Sequence, residues 1–176
     1  MKRSLALLLL SLCVSAPMAH AQEITIGAGA FGGYAVPVIQ DDAGSGVMFG
    51  IRVPVTVSSM FTIEPYYMTS SLDEVTEELG GVEYTRDGFD MKSIGGNVLL
   101  FGGKFYPFVG FGSYSLKRDG SEDISELGWN FGLGLGLPVG EKLRLDIRGE
   151  LDMIVTDDTS RKFGAATAGL TYRLTE

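Results

Sequence analysis

Residues 127–140 read LGWNFGLGLGLPVG. Leu127, Trp129, Phe131, Leu133, Leu135, Leu137 and Val139 take every odd position, and glycine fills even positions 128, 132, 134 and 136. Successive side chains of a strand point to opposite faces, so this segment predicts a β-strand with one greasy face and one nearly empty face. The segment that follows, LRLDIRGELDMIV at residues 143–155, keeps the same odd apolar set (Leu143, Leu145, Ile147, Leu151, Met153, Val155). Its even set is a charge ladder: Arg144, Asp146, Arg148, Glu150 and Asp152. A ladder of charges beside a row of glycines suggests that the empty face makes room for the charged one.

Outward from this pair the same period of two recurs, with no sustained helical period, which predicts an all-β chain. Eight strands are expected, at about residues 23–34, 46–57, 61–70, 91–101, 103–116, 126–139, 142–155 and 163–174. Short links near residues 58–60, 102–103 and 140–141 alternate with longer polar ones at 35–45, 71–90, 117–125 and 156–162. Tight turns at one end and long loops at the other are the habit of an up-and-down barrel that enters a membrane from one side.

Alternation alone does not say which face points outward. A soluble, lipocalin-like barrel turns its apolar face in around a ligand, whereas a membrane barrel turns it to lipid. Three features favour lipid. Lys92, Lys104, Lys117, Lys142 and Lys162 all fall at expected strand ends or in loops, although a soluble barrel coats its outer walls with such residues. A row of glycines makes a poor solvent-exposed strand face. Aromatics on the apolar face gather toward the ends: Phe61, Phe105 and Tyr172 at the turn end, and Tyr34, Phe49, Tyr67 and Trp129 toward the loop end. Phe111 and Phe131 fall nearer the middle of their strands. With the apolar face outward, the narrow lumen is expected to hold an ion-pair network of Arg52, Glu64, Arg144, Asp146, Arg148, Glu150, Asp152 and Arg173, because buried charges must be paired.

The chain has 176 residues, 45% of them hydrophobic, which suits one domain. Residues 1–21 read as a cleaved secretory signal: Lys2 and Arg3, an apolar run from Leu5 to Val14, and Ala19-His20-Ala21 as the small-x-small cleavage site. Residues 22–176 are then the mature barrel. Cleavage would remove the sole cysteine, Cys13, and the sole histidine, His20, leaving no thiol nucleophile, imidazole base or His/Cys zinc site. It would also leave 12 basic against 22 acidic residues, a net charge of −10 that disfavours nucleic acid as a partner.

The segments SIGGNVLLF, YPFVGFGSY, WNFGLGLGLPVGEKLRLDIRGEL and the closing TAGLTYRL together resemble the small eight-stranded outer-membrane barrels, the OmpA/OmpX-type group and the outer-membrane β-barrel domain family. The resemblance covers essentially the whole mature chain. It implies an eight-stranded antiparallel up-and-down transmembrane β-barrel in the outer membrane, with both termini periplasmic and four loops at the cell surface. It also implies that Thr167, Gly169, Tyr172 and Leu174 form the assembly signal read by the outer-membrane assembly machinery, with Leu174 standing where an aromatic is usual. The porin label that such sequences attract describes the resemblance rather than transport.

Three further patterns each have a sharp reading and a plainer one. Gly27-x-Gly29-x-x-Gly32 spells a dinucleotide fingerprint, but no helix follows it, so it reads as strand. Glu150 and Asp152 have a spacing compatible with acid–base chemistry, yet Arg144 and Arg148 on the same face make a structural ladder the simpler account. The loop SLDEVTEELGGVEYTRDGFD sets Asp73, Glu74, Glu77, Glu78, Glu83, Asp87 and Asp90 against a single base, Arg86. It predicts an acidic surface loop, solvated or engaged in cation or surface contacts. The function expected is structural or interactive, with outer-membrane lipids as partners, at most a small pore, no cofactor and no catalysis. A secreted soluble barrel binding an apolar ligand is the second reading, and a His-independent envelope lipid enzyme the third.

Overall fold

The computed structural model describes residues 24–38, 44–117, 123–156 and 160–175. The expected signal segment 1–21, with Cys13 and His20, lies outside the described residues, as do residues 39–43, 118–122 and 157–159 of three expected loops. The strands are β1 (Thr25–Pro37), β2 (Gly46–Arg52), β3 (Val55–Ser58), β4 (Phe61–Leu72), β5 (Val75–Leu79), β6 (Val82–Arg86), β7 (Phe89–Leu100), β8 (Phe105–Lys117), β9 (Ile124–Pro138), β10 (Leu143–Val155) and β11 (Ser160–Arg173). Each barrel strand pairs antiparallel with its neighbours, and β11 pairs with β1 to close the sheet. Eight staves result, because β2 and β3 are two segments of one stave.

That division corrects the single strand expected at 46–57. Pro54 has no backbone N–H to give to the ladder, so regular pairing stops there. The chain is still held across the break by Gly27 N donating to Pro54 O at 2.9 Å and Val53 N to Pro65 O at 2.9 Å. Pairing resumes as Val55 meets Ile63.

A second correction concerns residues 71–90, expected as one loop. The chain between β4 and β7 forms a separate hairpin of β5 and β6. Its turn is Gly80-Gly81, at φ 64° and 83°, the left-handed region that a type I′ hairpin turn requires at both central positions and glycine supplies without strain. Asp90, expected in this loop, belongs instead to β7, where it stands opposite Lys117 of β8.

The loop-side ends of two staves are also longer than alternation suggested. Val36 and Pro37 still pair with Gly164 and Phe163, and Val155 pairs with Ser160. Backbone hydrogen bonding therefore outlasts the apolar pattern. Arg161, in an expected loop, consequently lies in β11 with its guanidinium 5.4 Å from the Phe89 ring.

The two faces fall as the lipid-facing reading requires. Leu133 is 69% exposed on the outer wall, and Ile94, Val109, Phe131, Ile147 and Leu170 are exposed there too. Such a continuous apolar exterior is unsuited to water. Arg52, Glu64, Asp146, Arg148 and Asp152 are buried inside. This is the reverse of a soluble calyx, which needs its apolar faces inward. Phe111 lies at the middle of β8, as expected, where it stands opposite Trp129 with the rings 4.9 Å apart and edge-on.

Gly27 and Gly29 lie in β1 and face the lumen side, with no helix after them, so the apparent fingerprint is strand. The glycine face of β9 fits the barrel sterically. A Cβ at Gly134 would fall within the Tyr106 ring, and one at Gly136 within the Arg144 guanidinium. Gly96 has open space around it. Gly134→Val is therefore expected to destabilise the barrel by roughly 1–3 kcal/mol through overpacking, while Gly96→Val costs nothing measurable. Urea titration of refolded protein in lipid vesicles reads both; equal effects would refute the fitted glycine row.

Candidate functional site

Two places concentrate chemistry: the lumen and the acidic hairpin above it. In the lumen Arg52 comes from β2, Glu64 from β4, and Arg144, Asp146 and Arg148 from β10. The even positions of all three strands point inward, so closure of the barrel converts separate sequence ladders into one cluster.

Its centre is a two-pronged pair. Arg148 Nη1 and Nη2 donate to Glu64 Oε1 and Oε2 at 2.6 and 2.8 Å. Arg148 Nε donates to the Tyr106 hydroxyl at 2.9 Å, and that hydroxyl donates to Asp146 Oδ1 at 2.7 Å. Asn97 Nδ2 donates to Glu64 Oε1 at 3.3 Å, and Thr171 Oγ1 to Asp146 Oδ2 at 3.4 Å. Paired charges of this kind stabilise one another strongly in a low-dielectric interior, provided that the remaining polar atoms are satisfied.

Arg52 serves the cluster differently. Its Nη2 is 3.4 Å from Asp146 Oδ2 and its Nε 4.0 Å from Glu64 Oε2, distances of ion pairing. Neither nitrogen makes a hydrogen bond. Its charge balances two carboxylates while its guanidinium lies 5.5 Å from the centre of the Phe31 ring. Arg144, whose side chain is 37% exposed, places Nε 3.0 Å from Asp146 Oδ1 and its guanidinium 5.0 Å from the Tyr106 ring.

Three residues expected in this network stand apart from it. Asp152 accepts a hydrogen bond from the Tyr114 hydroxyl at 2.7 Å and makes no ion pair among the described residues. Glu150 is half-buried and lines a cavity of about 20 Å³, room for roughly one water, together with Asn97, Asn130 and Arg148. Arg173 is exposed at the turn-end mouth. Tyr106 and Tyr114, the hydroxyl hubs, are missing from the set that alternation selects. Their strand, β8, is apolar or glycine over much of both faces, so alternation marks no polar side. The detectable signal is the shared even parity of Tyr106, Gly110, Gly112 and Tyr114.

Above the ion-paired layer the lumen is mostly apolar, with Asp152, Ser70 and Ser93 buried among the apolar side chains. Met48, Met68, Met91, Phe89, Leu72, Ile154 and Phe163 are buried together with Tyr66 and Tyr114. The expected ion-pair core is thus one layer beneath a hydrophobic plug. Sequence reading misses the plug because its members are scattered over several strands.

The hairpin carries Glu78 directly opposite Glu83, next to the Gly80-Gly81 turn. Like charges facing each other across a strand pair are destabilising, which leaves an unbalanced acidic tip. Among the described residues, no three carboxylates gather in a metal-holding group.

The model of the family described as "Outer membrane protein beta-barrel domain" matches residues 5–173. The chain belongs to this outer-membrane barrel family. Its solved relatives in shape share the closed barrel. Neisserial surface protein A (NspA) is 16% identical, covering 88% of this chain and 99% of that one, with a TM-score of 0.62. A major outer membrane protein from Thermus thermophilus is 11% identical over 87% of this chain and 100% of the other, at a TM-score of 0.56. The Yersinia pestis outer membrane protein Ail in a phospholipid nanodisc is 16% identical over 86% of this chain and 100% of the other, at 0.53. At these identities the likeness is one of fold. No curated protein sequence matches the chain.

In this outer-membrane barrel the residues expected to form an assembly signal lie on or just after the closing stave. Thr167 and Gly169 face the lumen, and Tyr172 is exposed on the outer wall. Leu174 follows the strand, its N–H donating to Ile26 O at 2.8 Å.

Proposed function

We propose that this barrel is a sealed, non-enzymatic outer-membrane protein that works at its surface. It occupies lipid, contributes to envelope integrity and presents the β5–β6 hairpin to cationic partners. One observation carries the reading: the lumen is occluded twice, by the Glu64–Arg148 pair and by the methionine and aromatic plug above it. A closed lumen leaves at most a small conductance and makes the loops the working parts. In the same reading, residues 1–21 direct export, and Thr167, Gly169, Tyr172 and Leu174 are read by the assembly machinery.

The charge of the tip supports a surface role. Glu78 facing Glu83, with Asp73, Glu74 and Asp87 beside the hairpin, is relieved by a cationic surface or a bridging divalent cation. Ail has also been solved with the heparin analogue sucrose octasulfate, a polyanion. The acidic hairpin has the opposite charge, so that ligand class does not suit it. Lipid-modifying chemistry is disfavoured because Asp152 lies inside the wall, where no acyl chain reaches.

Two measurements test the proposal. Planar-bilayer recordings should show at most small, brief openings; a steady conductance of diffusion-pore size would overturn it. Vesicles bearing the protein should adhere to polylysine-coated surfaces and lose most adhesion when residues 75–86 are replaced by a short Gly-Ser link. Unchanged adhesion would remove the hairpin from the account, and a millimolar Ca²⁺ arm tests cation bridging at the same tip.

A further inference from the structure

The turn-end mouth of the barrel is a blind cavity of about 380 Å³. Its inner wall includes Glu64, Asp146 and Arg148, whose mutual bonds close the lumen. Space that ends in a sealed ion-pair layer makes a poor channel, but it can bind.

Its charge is unlike that of the rest of the molecule. The chain carries 22 acidic and 14 basic residues, and its long loop is strongly acidic. Yet Lys104, Lys142, Arg144 and Arg173 all line this cavity. They come from one continuous arc: the β7–β8 turn, the β9–β10 turn, the start of β10 and the end of β11. Backbone contacts fix the spacing of the arc. Gly136 N donates to Lys104 O at 2.7 Å, and Arg173 N to Lys142 O at 2.8 Å. Across the mouth Thr25, Pro54, Thr56, Thr62 and Leu99 are uncharged. Among the described residues, Glu141 is the one further carboxylate in the lining, while Glu64 and Asp146 are already held by arginines.

Arg144 is set in place beforehand. Gly136 leaves a slot for its guanidinium, the Tyr106 ring lies 5.0 Å from it, and its Nε lies at an ion-pair distance of 3.0 Å from Asp146 Oδ1, with no hydrogen bond among the described residues. A guanidinium fixed in this way loses little freedom on binding and presents donors in the planar fork that matches phosphoryl oxygens.

We propose that this mouth is an anion site that takes a phosphoryl group, with Arg144 as the fixed ligand and Lys104, Lys142 and Arg173 as flexible counter-charges. The phosphoryl group could come from a soluble phosphate or from a phospholipid headgroup at the membrane edge; the chemistry is shared and the test separates the sources.

The test uses the full mature barrel in an uncharged sugar detergent. Inorganic pyrophosphate is titrated by calorimetry, and phosphatidylglycerol is titrated separately in mixed micelles against phosphatidylcholine. Saturable binding of pyrophosphate identifies a soluble source, and saturable binding confined to phosphatidylglycerol identifies a headgroup; either supports the site. Lys104→Gln/Lys142→Gln lies in the turns, outside the lumen bonds, and should weaken binding at least about tenfold. Arg144→Gln should weaken it as much or more, while exposed Lys117→Gln at the loop end leaves it unchanged. Affinity should also fall between about 50 and about 500 mM NaCl as screening shortens the reach of the arc. Non-saturable heats for both probes, or equal binding by wild type and the double lysine variant, would overturn the proposal. The double variant keeps it testable even if Arg144→Gln fails to fold.

Discussion

Arg148→Leu is expected to destabilise the folded barrel by about 3–5 kcal/mol, the range for stripping one partner from a buried ion pair. The loss is large because the variant leaves Glu64, 1% exposed, with a charge and no cation hydrogen-bonded to it. It also removes the donor that holds the Tyr106 hydroxyl, whose own proton goes to Asp146. The adjacent Arg52 lies 4.0 Å from Glu64 and makes no hydrogen bond to it, so it offsets only part of the deficit. Urea-induced unfolding and refolding in phosphatidylcholine vesicles measures the change. Glu64→Leu/Arg148→Leu should recover much of it, because removing both charges abolishes the burial penalty along with the attraction. A single variant no worse than Lys117→Leu on the exposed rim would show that the network contributes no stability.

Leu133→Arg carries the second large effect, roughly 2–4 kcal/mol of destabilisation, the cost of a cation on a lipid-facing wall near the bilayer midplane. Leu133 sits in the central part of β9, paired with Pro107 and Gly149, and its side chain is 69% exposed on the outer face. A water-exposed position of that kind would accept Arg within about 0.5 kcal/mol. The comparison is made in vesicles beside Lys117→Arg, where the charge is already at the edge. A neutral Leu133→Arg would mean that the outer wall meets water, against the barrel's membership of an outer-membrane family.

Much of the architecture is legible along the chain. Period-two alternation locates every stave to within a few residues, and the alternation of short and long links sets the meander. What blurs the boundaries is hydrogen bonding beyond the apolar pattern, as at Val36 and Pro37 in β1, and the opposite failure at Pro54, where the pattern continues but a ladder donor is missing. The β5–β6 hairpin escapes notice because its charged residues read as loop, although Leu79-Gly80-Gly81-Val82 is a strong two-residue turn signal.

The candidate site is legible only in part, for a physical reason. Parity assigns Arg52, Glu64, Asp146 and Arg148 to the lumen, since a strand residue has just two faces to choose from. Parity gives no height along the barrel, and height decides which inward charges meet. Arg148 reaches Glu64, 84 positions away in the chain, whereas Glu150 and Asp152 on the same face rise toward the apolar plug, and Arg173 falls at the mouth.

The sequence by itself determined the strand period, the division of most strands into an apolar and a polar or glycine face, and the acidic character of the long loop. Each of these follows from near neighbours in the chain. Only the tertiary structure decided the Tyr106 hub, the methionine plug and the basic arc at the mouth, because closing β11 onto β1 fixes a register between residues that no local rule relates.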